Sequence, residues 1–317
     1  MIELMTSAVI WARTLDAATS LLLVALGGYL CIRSGVFNIG LEGTMIFGCF
    51  AAVAGGFWAT NWTIGVVSAL AAGILVTGIL AVAAVWLRAD VLLVGLAVNL
   101  LGLGGTALLL QWFFDIRGGF TSQRVRPLPR VDLPGVDAVP WLGTVLSGRT
   151  VLTYSAWLLT AAVVVWLGFT RSGMALRAVG LRTEIAEASG VSVRRTRSVA
   201  LLVGGALVGL GGAQLALGDV AQFSENMTSG RGFVALAMVL IAARRAWTLL
   251  PLSVGFAVFD VLGLSLQSEG LPSELSYVLP YAAALVVLLV ARVWSVRVSR
   301  ASDESWAGAA EGRRAHA

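Results

Sequence analysis

"VLLVGLAVNLLGLGGTALLLQWFF", Val91 to Phe114, holds no charged residue. It is longer than the ~20 residues that carry a helix across the hydrocarbon core of a bilayer. Three more uncharged runs accompany it: Trp62 to Leu87, Thr150 to Thr170 and Ser198 to Gly218. The composition agrees, with 58% hydrophobic and only 12% charged residues. Soluble domains carry roughly a quarter charged residues. A transmembrane β-barrel would show segments of ~10 residues with alternating polarity instead. The expected fold is therefore all-α, a polytopic transmembrane helical bundle.

Working outward, nine apolar elements centre on 15–32, 40–58, 62–87, 91–114, 150–170, 198–218, 232–243, 246–268 and 275–292. They form a single transmembrane domain over residues 1–300, followed by a polar tail, 301–317. The longest hydrophilic stretch, 115–149, is a loop rather than a domain. The N-terminus lacks the basic region of a signal peptide, so the first apolar segment is expected to stay as a span. Gly232 to Ala243 is too short to cross straight and predicts a half-helix. Pro251 and Pro280 predict kinks in the last two elements.

Arginine orients the chain. Arg171, Arg177, Arg182, Arg194, Arg195 and Arg197 crowd one loop, 171–197, which the positive-inside rule makes cytoplasmic. Alternation then places Arg33, Arg88, Arg244 and Arg245 inside and 115–149 outside. Elements one to four and six to nine also run in the same order of span, short polar-led helix, span and span. "RSGVFNIGLEG" (33–43) and "TSGRGFVALAM" (228–238) open the two short helices on Ser-Gly. An inverted repeat with paired broken helices is one reading; a chance coincidence in a Gly-rich chain is the other.

Several function classes fall away. All 22 basic residues are Arg, so a phosphate-binding loop ending in Gly-Lys-Ser/Thr is impossible and the chain brings no ATPase site of that type. The net charge of +5 reports loop orientation, not nucleic-acid binding. The lone His316 leaves no His-based metal site, and no cofactor is expected. Cys31 and Cys49 sit in apolar segments and do not suggest a disulfide. Without clustered His, Cys or paired carboxylates, an integral-membrane enzyme is remote.

Polar residues inside spans are costly and mark candidate sites. Glu42 and Asp260 stand out, with Asn38 and Asn99, and with Ser229 and Arg231 at the second Ser-Gly break, as candidates for a translocation path. For Asp260 the alternative is a structural pair with an Arg or hydroxyl; for Asn99 and Gln111 it is helix-to-helix glue. Asn38 is placed to cap the helix carrying Glu42, whose charge suits a first turn. Gly205, Gly209 and Ala213 recur every four residues, a small-residue stripe for close helix packing. In the loop 171–197, Thr183 is placed to cap a short helix, Glu184 and Glu187 favour its positive end, and Gly190 ends it. With the small Ala186 and Ala188, that helix suits docking into a groove on another protein. Outside, Arg117, Arg124, Arg126 and Arg130 could dock an acidic lobe of a binding protein; a solvated linker is the plain alternative.

The stretches "SGVFNIGLEGTMIFGCFAA", "LRADVLLVGLAVNLL", "GMALRAVGLRTEIAEASGVSVRRTR" with "SVALLVGGALVGLGGAQLALG", and "SGRGFVALAMVLIA" resemble ABC-importer permeases of the branched-chain amino acid and simple-sugar superfamily. The nucleoside and simple-sugar branch is the closest in likeness. The resemblance runs from about residue 15 to 292. It implies a multi-pass subunit of the bacterial plasma membrane that moves a nucleoside or simple sugar inward by alternating access. It implies a cytoplasmic ATPase that uses the ATP, a second related permease in a heterodimer, and an extracytoplasmic solute-binding lipoprotein. By position, the family's coupling helix falls on Glu184 to Gly190. Where the family usually has a Gly-Trp-Pro-like turn, this chain reads Ala243-Arg244-Arg245-Ala246-Trp247. The competing expectation is a stand-alone secondary transporter or channel, which would need Asp260 or Glu42 to titrate or bind an ion.

Overall fold

The structure, a computed structural model, describes residues 8–132, 140–242 and 245–268. Its helices are α1 (Ala8–Arg33), α2 (Leu41–Ala59), α3 (Trp62–Ala81), α4 (Val91–Phe114), α5 (Pro140–Leu146), α6 (Val151–Phe169), α7 (Arg171–Leu181), α8 (Thr183–Ala188), α9 (Val193–Ala213), α10 (Arg231–Ala242) and α11 (Leu249–Ser268). Seven of the described helices are long and apolar enough to cross a membrane. The last apolar segment, 275–292 with Pro280, and the tail 301–317 lie outside the described residues.

α9 is the axis of the bundle. Its glycines lie on several faces, so three neighbours approach almost backbone to backbone. A Cβ on Gly204 would meet the carbonyl of Gly27 in α1 at 2.7 Å. One on Gly212 would meet Met45 and Cys49 of α2, and one on Gly209 would collide with Ala69 of α3. In a bilayer, where lipid competes with apolar contacts, such close van der Waals approach is what holds helices together. The stripe expected at Gly205 and Gly209 does this against Gly73 and Thr77 of α3. Around the axis, α1 is buried along most of its length, whereas α3, α4 and α6 are buried over a third of theirs or less.

α3 and α9 each finish in a π-helical turn, Val82–Trp86 and Gln214–Val220. Four short strands, β1 (Gly119–Thr121), β2 (Arg130–Val131), β3 (Arg149–Thr150) and β4 (Gln222–Ser224), form two antiparallel ladders, β1 with β4 and β2 with β3. They gather 115–132, 149–150 and 214–225 at one end of the bundle. Arg33, Trp86, α7, α8 and the start of α9 gather at the other.

Two expectations need correction. The first helix begins at Ala8, well before residue 15, and takes Asp16 into its interior. The charge is tolerated because Arg149 Nη1 donates to Asp16 Oδ2 at 2.9 Å and to the carbonyl of Ala12 at 2.8 Å. Pro251 does not kink α11. It is the third residue of that helix, where a missing N–H costs nothing.

Candidate functional site

The opening break is built from residues 34–43. Gly35 takes φ +83°, the left-handed region that an L side chain avoids, and turns the chain out of α1. Asn38 does not cap α2, contrary to expectation. Its Oδ1 accepts the N–H of Gly40 at 2.8 Å, a tight Asx-type turn that ends one residue before the helix. The carbonyl of Gly40 then takes the hydroxyl of Thr44 and opens the α2 ladder. Asn99, from α4, clamps both sides of the break. Its Oδ1 accepts from the N–H of Gly43 at 2.8 Å and its Nδ2 donates to the carbonyl of Ile39 at 3.1 Å. It is glue between two helices, buried at 4% exposure.

Glu42 faces the other break. Its Oε1 accepts from Thr228 Oγ1 at 2.5 Å and from the N–H of Gly230 at 2.8 Å; its Oε2 accepts from the N–H of Gly232 at 2.6 Å. The two N–H groups are amides left open at the start of α10, where a helix leaves donors exposed and where its dipole favours an anion. The carboxylate of one broken helix is thus the cap of the other. Gly232 lies so close that a Cβ would stand 2.6 Å from the Cα of Glu42. The two Ser-Gly stretches paired by their sequence are in contact here, and Gly230 matches Gly35 with φ +79°.

Arg231 and Asp260 form an ion pair between α10 and α11, Nη2 to Oδ2 at 2.7 Å and Nε to Oδ2 at 3.2 Å. Both side chains stay about one-fifth exposed, at 21% and 20%. Arg231 Nη1 also donates to the carbonyl of Met227. Ser229, on the exposed turn, donates to Asn226. Thr228 was not legible in the sequence: its partner is 186 residues away. Asp16 did carry a signal, a charge inside an apolar segment. A groove of about 1070 Å3 between α3 and α4 ends at Gln111 and Asp115. Its other walls, Phe47, Val76 and Leu101 among them, are apolar and offer nothing to a hydroxyl-rich solute.

At the opposite end, α7 and α8 make a helical hairpin. Gly190 has φ +81° and closes α8, its N–H bonded to the Glu187 carbonyl. Thr183 does not cap α8 as expected: Arg182 occupies that position, and Thr183 Oγ1 turns back to the Val179 carbonyl. Ala186 is also displaced from its expected outward role. At 2% exposure it packs with Val179 and Val193, tying α8 to α7 and α9. Glu184, Glu187 and Ala188 face outward, beside Ile185. Arg245 precedes a short 3-10 turn, Ala246–Thr248, which packs against α6.

In the loop that follows α4, Arg117, Arg124, Arg126 and Arg130 are exposed. Arg124 lies over the Phe57 ring, 5.6 Å from its centre, and Arg130 reaches the carbonyl of Gly148. Arg149, from the same loop, is buried with Asp16 and is not available to a partner.

The family model described as branched-chain amino acid transport system / permease component matches residues 10–288. The chain belongs to that family. The permease is 34% identical to the guanosine ABC transporter permease protein NupQ of Bacillus subtilis, over 72% of this chain and 73% of that one. It is 29% identical to the nucleoside ABC transporter permease protein NupC of Lactococcus lactis, over 89% and 92%. It is also 26% identical to NupP, a second guanosine permease of B. subtilis, over 90% and 81%. An ABC transporter assigned to the metal-chelate type, solved in an inward-facing conformation, shares the fold with a TM-score of 0.51 at 18% identity, covering 88% of this chain and 85% of that one. The permease is a multi-pass protein of the bacterial plasma membrane.

Proposed function

We propose that the permease is one membrane subunit of an ABC importer that carries a nucleoside inward by alternating access. The observation that carries this is the outward-facing hairpin α7–α8 at the arginine-rich end. It presents the carboxylates Glu184 and Glu187 on a short helix closed by Gly190. A cytoplasmic ATPase would engage that helix, the coupling residues being Thr183, Glu184, Ala186, Glu187, Ala188 and Gly190. Of these, Glu184, Glu187 and Ala188 would touch the ATPase, while Thr183 and Ala186 hold the helix in place. The nucleoside relatives support the solute class, and the similarity to both NupQ and NupP supports pairing with a second, related permease. An extracytoplasmic binding lipoprotein would meet Arg117, Arg124, Arg126 and Arg130.

The stand-alone reading loses its footing in the spans. Glu42 is spent on three donors and Asp260 on Arg231. In this conformation neither carboxylate can take an ion without first giving up those partners. In this reading the permease supplies a path. Asn38, Glu42, Asn99, Ser229, Arg231 and Asp260 border that path as its supports. Arg231 and Asp260, partly exposed, are the pair open to solute.

The test is reconstitution in proteoliposomes. With its cognate ATPase, second permease and binding protein, the permease should import labelled guanosine only when ATP is present. Glucose uptake in place of guanosine would reassign the solute class. Guanosine flux through the purified permease alone, driven by a proton gradient, would overturn the importer reading.

A further inference from the structure

Arg197 lies one turn into α9, between two pieces of the permease that ATP-driven transport has to connect. Its Nη2 donates to Thr183 Oγ1 at 3.1 Å, on the first residue of α8. Its Nε donates to the carbonyl of Ser34 at 3.3 Å, on the linker from α1 to α2. Its neighbours Arg194 and Arg195 are exposed, as arginines of a cytoplasmic loop usually are, but Arg197 is half-buried. The linker is pressed against the same place. A Cβ on Gly180 of α7 would collide with the carbonyl of Arg33. A Cβ on Gly35 would sit 3.3 Å from the Gly180 Cα and 3.4 Å from Arg197 Nη2.

The two acceptors belong to bodies with different attachments. α8 is fixed to α7 and α9 through Val179, Ala186 and Val193. The linker runs from the fully buried Ser34 through the Asn38 turn to Glu42, whose carboxylate holds the start of α10. A guanidinium presents donors in a rigid planar fork, so two acceptors held by one Arg keep a fixed relative position. We propose that Arg197 is a positioning residue that locks the α7–α8 hairpin to linker 34–40. Displacement of α8 by a docked ATPase is then delivered to the junction of Glu42 with α10. The inference rests on the importer reading of the hairpin.

Distances between spin labels test it. Cys31 and Cys49 are buried, so introduced cysteines can be labelled selectively. Arg182→Cys with Trp112→Cys reports movement of the start of α8 relative to the far end; Arg182 is exposed and outside the residues placed on the ATPase, and Trp112 is 81% exposed. Arg182→Cys with Phe37→Cys reports hairpin against linker; Phe37 is 37% exposed. Both pairs are measured in the assembled transporter, nucleotide-free and vanadate-trapped. The expected result is a change in the 182–112 distance and a constant 182–37 distance. In Arg197→Gln the 182–37 distance changes as well, and, without labels, ATP hydrolysed per guanosine imported rises about tenfold. Arg197→Lys, with one point donor, restores one contact and recovers part of the ratio. If Arg197→Gln fails to assemble, Thr183→Val removes one acceptor at near-constant volume and carries the same comparison. A 182–37 distance that behaves identically in the parent and the variant overturns the role of Arg197 and leaves the importer reading standing. A 182–112 distance indifferent to nucleotide overturns both, and the distance readout needs no solute.

Discussion

Glu42 and Gly232, 190 residues apart, meet at 2.6 Å as carboxylate and backbone N–H, so the first broken helix supplies the cap of the second. The residue that looked most like a solute ligand is a structural keystone of the junction. Replacing it with Ala strands three donors in the protein interior. At about 1 kcal/mol or more for each, the loss is about 3 kcal/mol. Glu42→Ala is expected to lower the thermal stability of the detergent-solubilised permease sharply. Glu42→Gln, which keeps one carbonyl oxygen, should fall between. Uptake measured per folded molecule should change less than protein level does. Normal protein level with lost uptake would return Glu42 to the solute.

Arg231 and Asp260 differ from Glu42 in being partly open. Removing either alone leaves a charge without its partner near membrane depth. Removing both leaves none. The double variant Arg231→Gln/Asp260→Asn is therefore expected to be more stable than Asp260→Asn alone by about 1 kcal/mol or more, a non-additivity readable in a double-mutant cycle of melting temperatures. Additive losses would mean that the pair contributes nothing as a pair.

Membrane class, the apolar spans of the described part and the short α10 were legible because length and apolarity are local properties; the two further helices α5 and α7 were not. Runs such as Val91–Phe114 declare themselves without knowledge of their neighbours. The glycine stripe of α9 was legible for the same reason. The roles of polar groups were not, because hydrogen-bond partners are set by tertiary approach. Thr183 and Asn38 both look like caps in sequence. Each has a side chain that bonds elsewhere: Thr183 faces Val179 and Arg197, and Asn38 closes its own turn. Ala186 looks outward in a list of small residues but lies inward on the helix. Arg197 was one arginine among six in its loop, and only its two acceptors set it apart.

Gly209 and Gly104 make a matched pair for testing the axis. A Cβ on Gly209 would collide with the backbone of Ala69, whereas one on Gly104 would meet nothing within 4 Å. Gly209→Ala is expected to cost about 1–3 kcal/mol, since backbone cannot yield as a side-chain tip does. Gly104→Ala is expected to be neutral, or to stabilise by up to about 1 kcal/mol through helix propensity. Thermal denaturation of the two variants side by side checks the contrast. Equal midpoints would remove α9 from its place as the axis.

Gly190→Ala forces an L side chain into φ +81°, where no neighbouring atom would obstruct the Cβ. The penalty is thus conformational alone, about 1 kcal/mol. It falls on the end of α8 rather than on the bundle. Thermal stability of the whole permease should hardly change, while ATP hydrolysed per solute imported rises. Unchanged coupling in Gly190→Ala and in Glu187→Ala together would remove α8 from the ATPase interface.

The ladders β1–β4 and β2–β3 have a last consequence at the other end. They stitch residues 119–121 and 130–131 to the segments 222–224 and 149–150, with Phe120 seated against Phe57 and Phe114. The loop around Arg117 and Arg124 is consequently a surface already set in shape, not a tether waiting to be ordered. A protein that lands on it meets a surface whose disorder was given up during folding. Such an encounter spends little of its binding energy on freezing the loop, so a modest contact area is enough for brief, repeated visits.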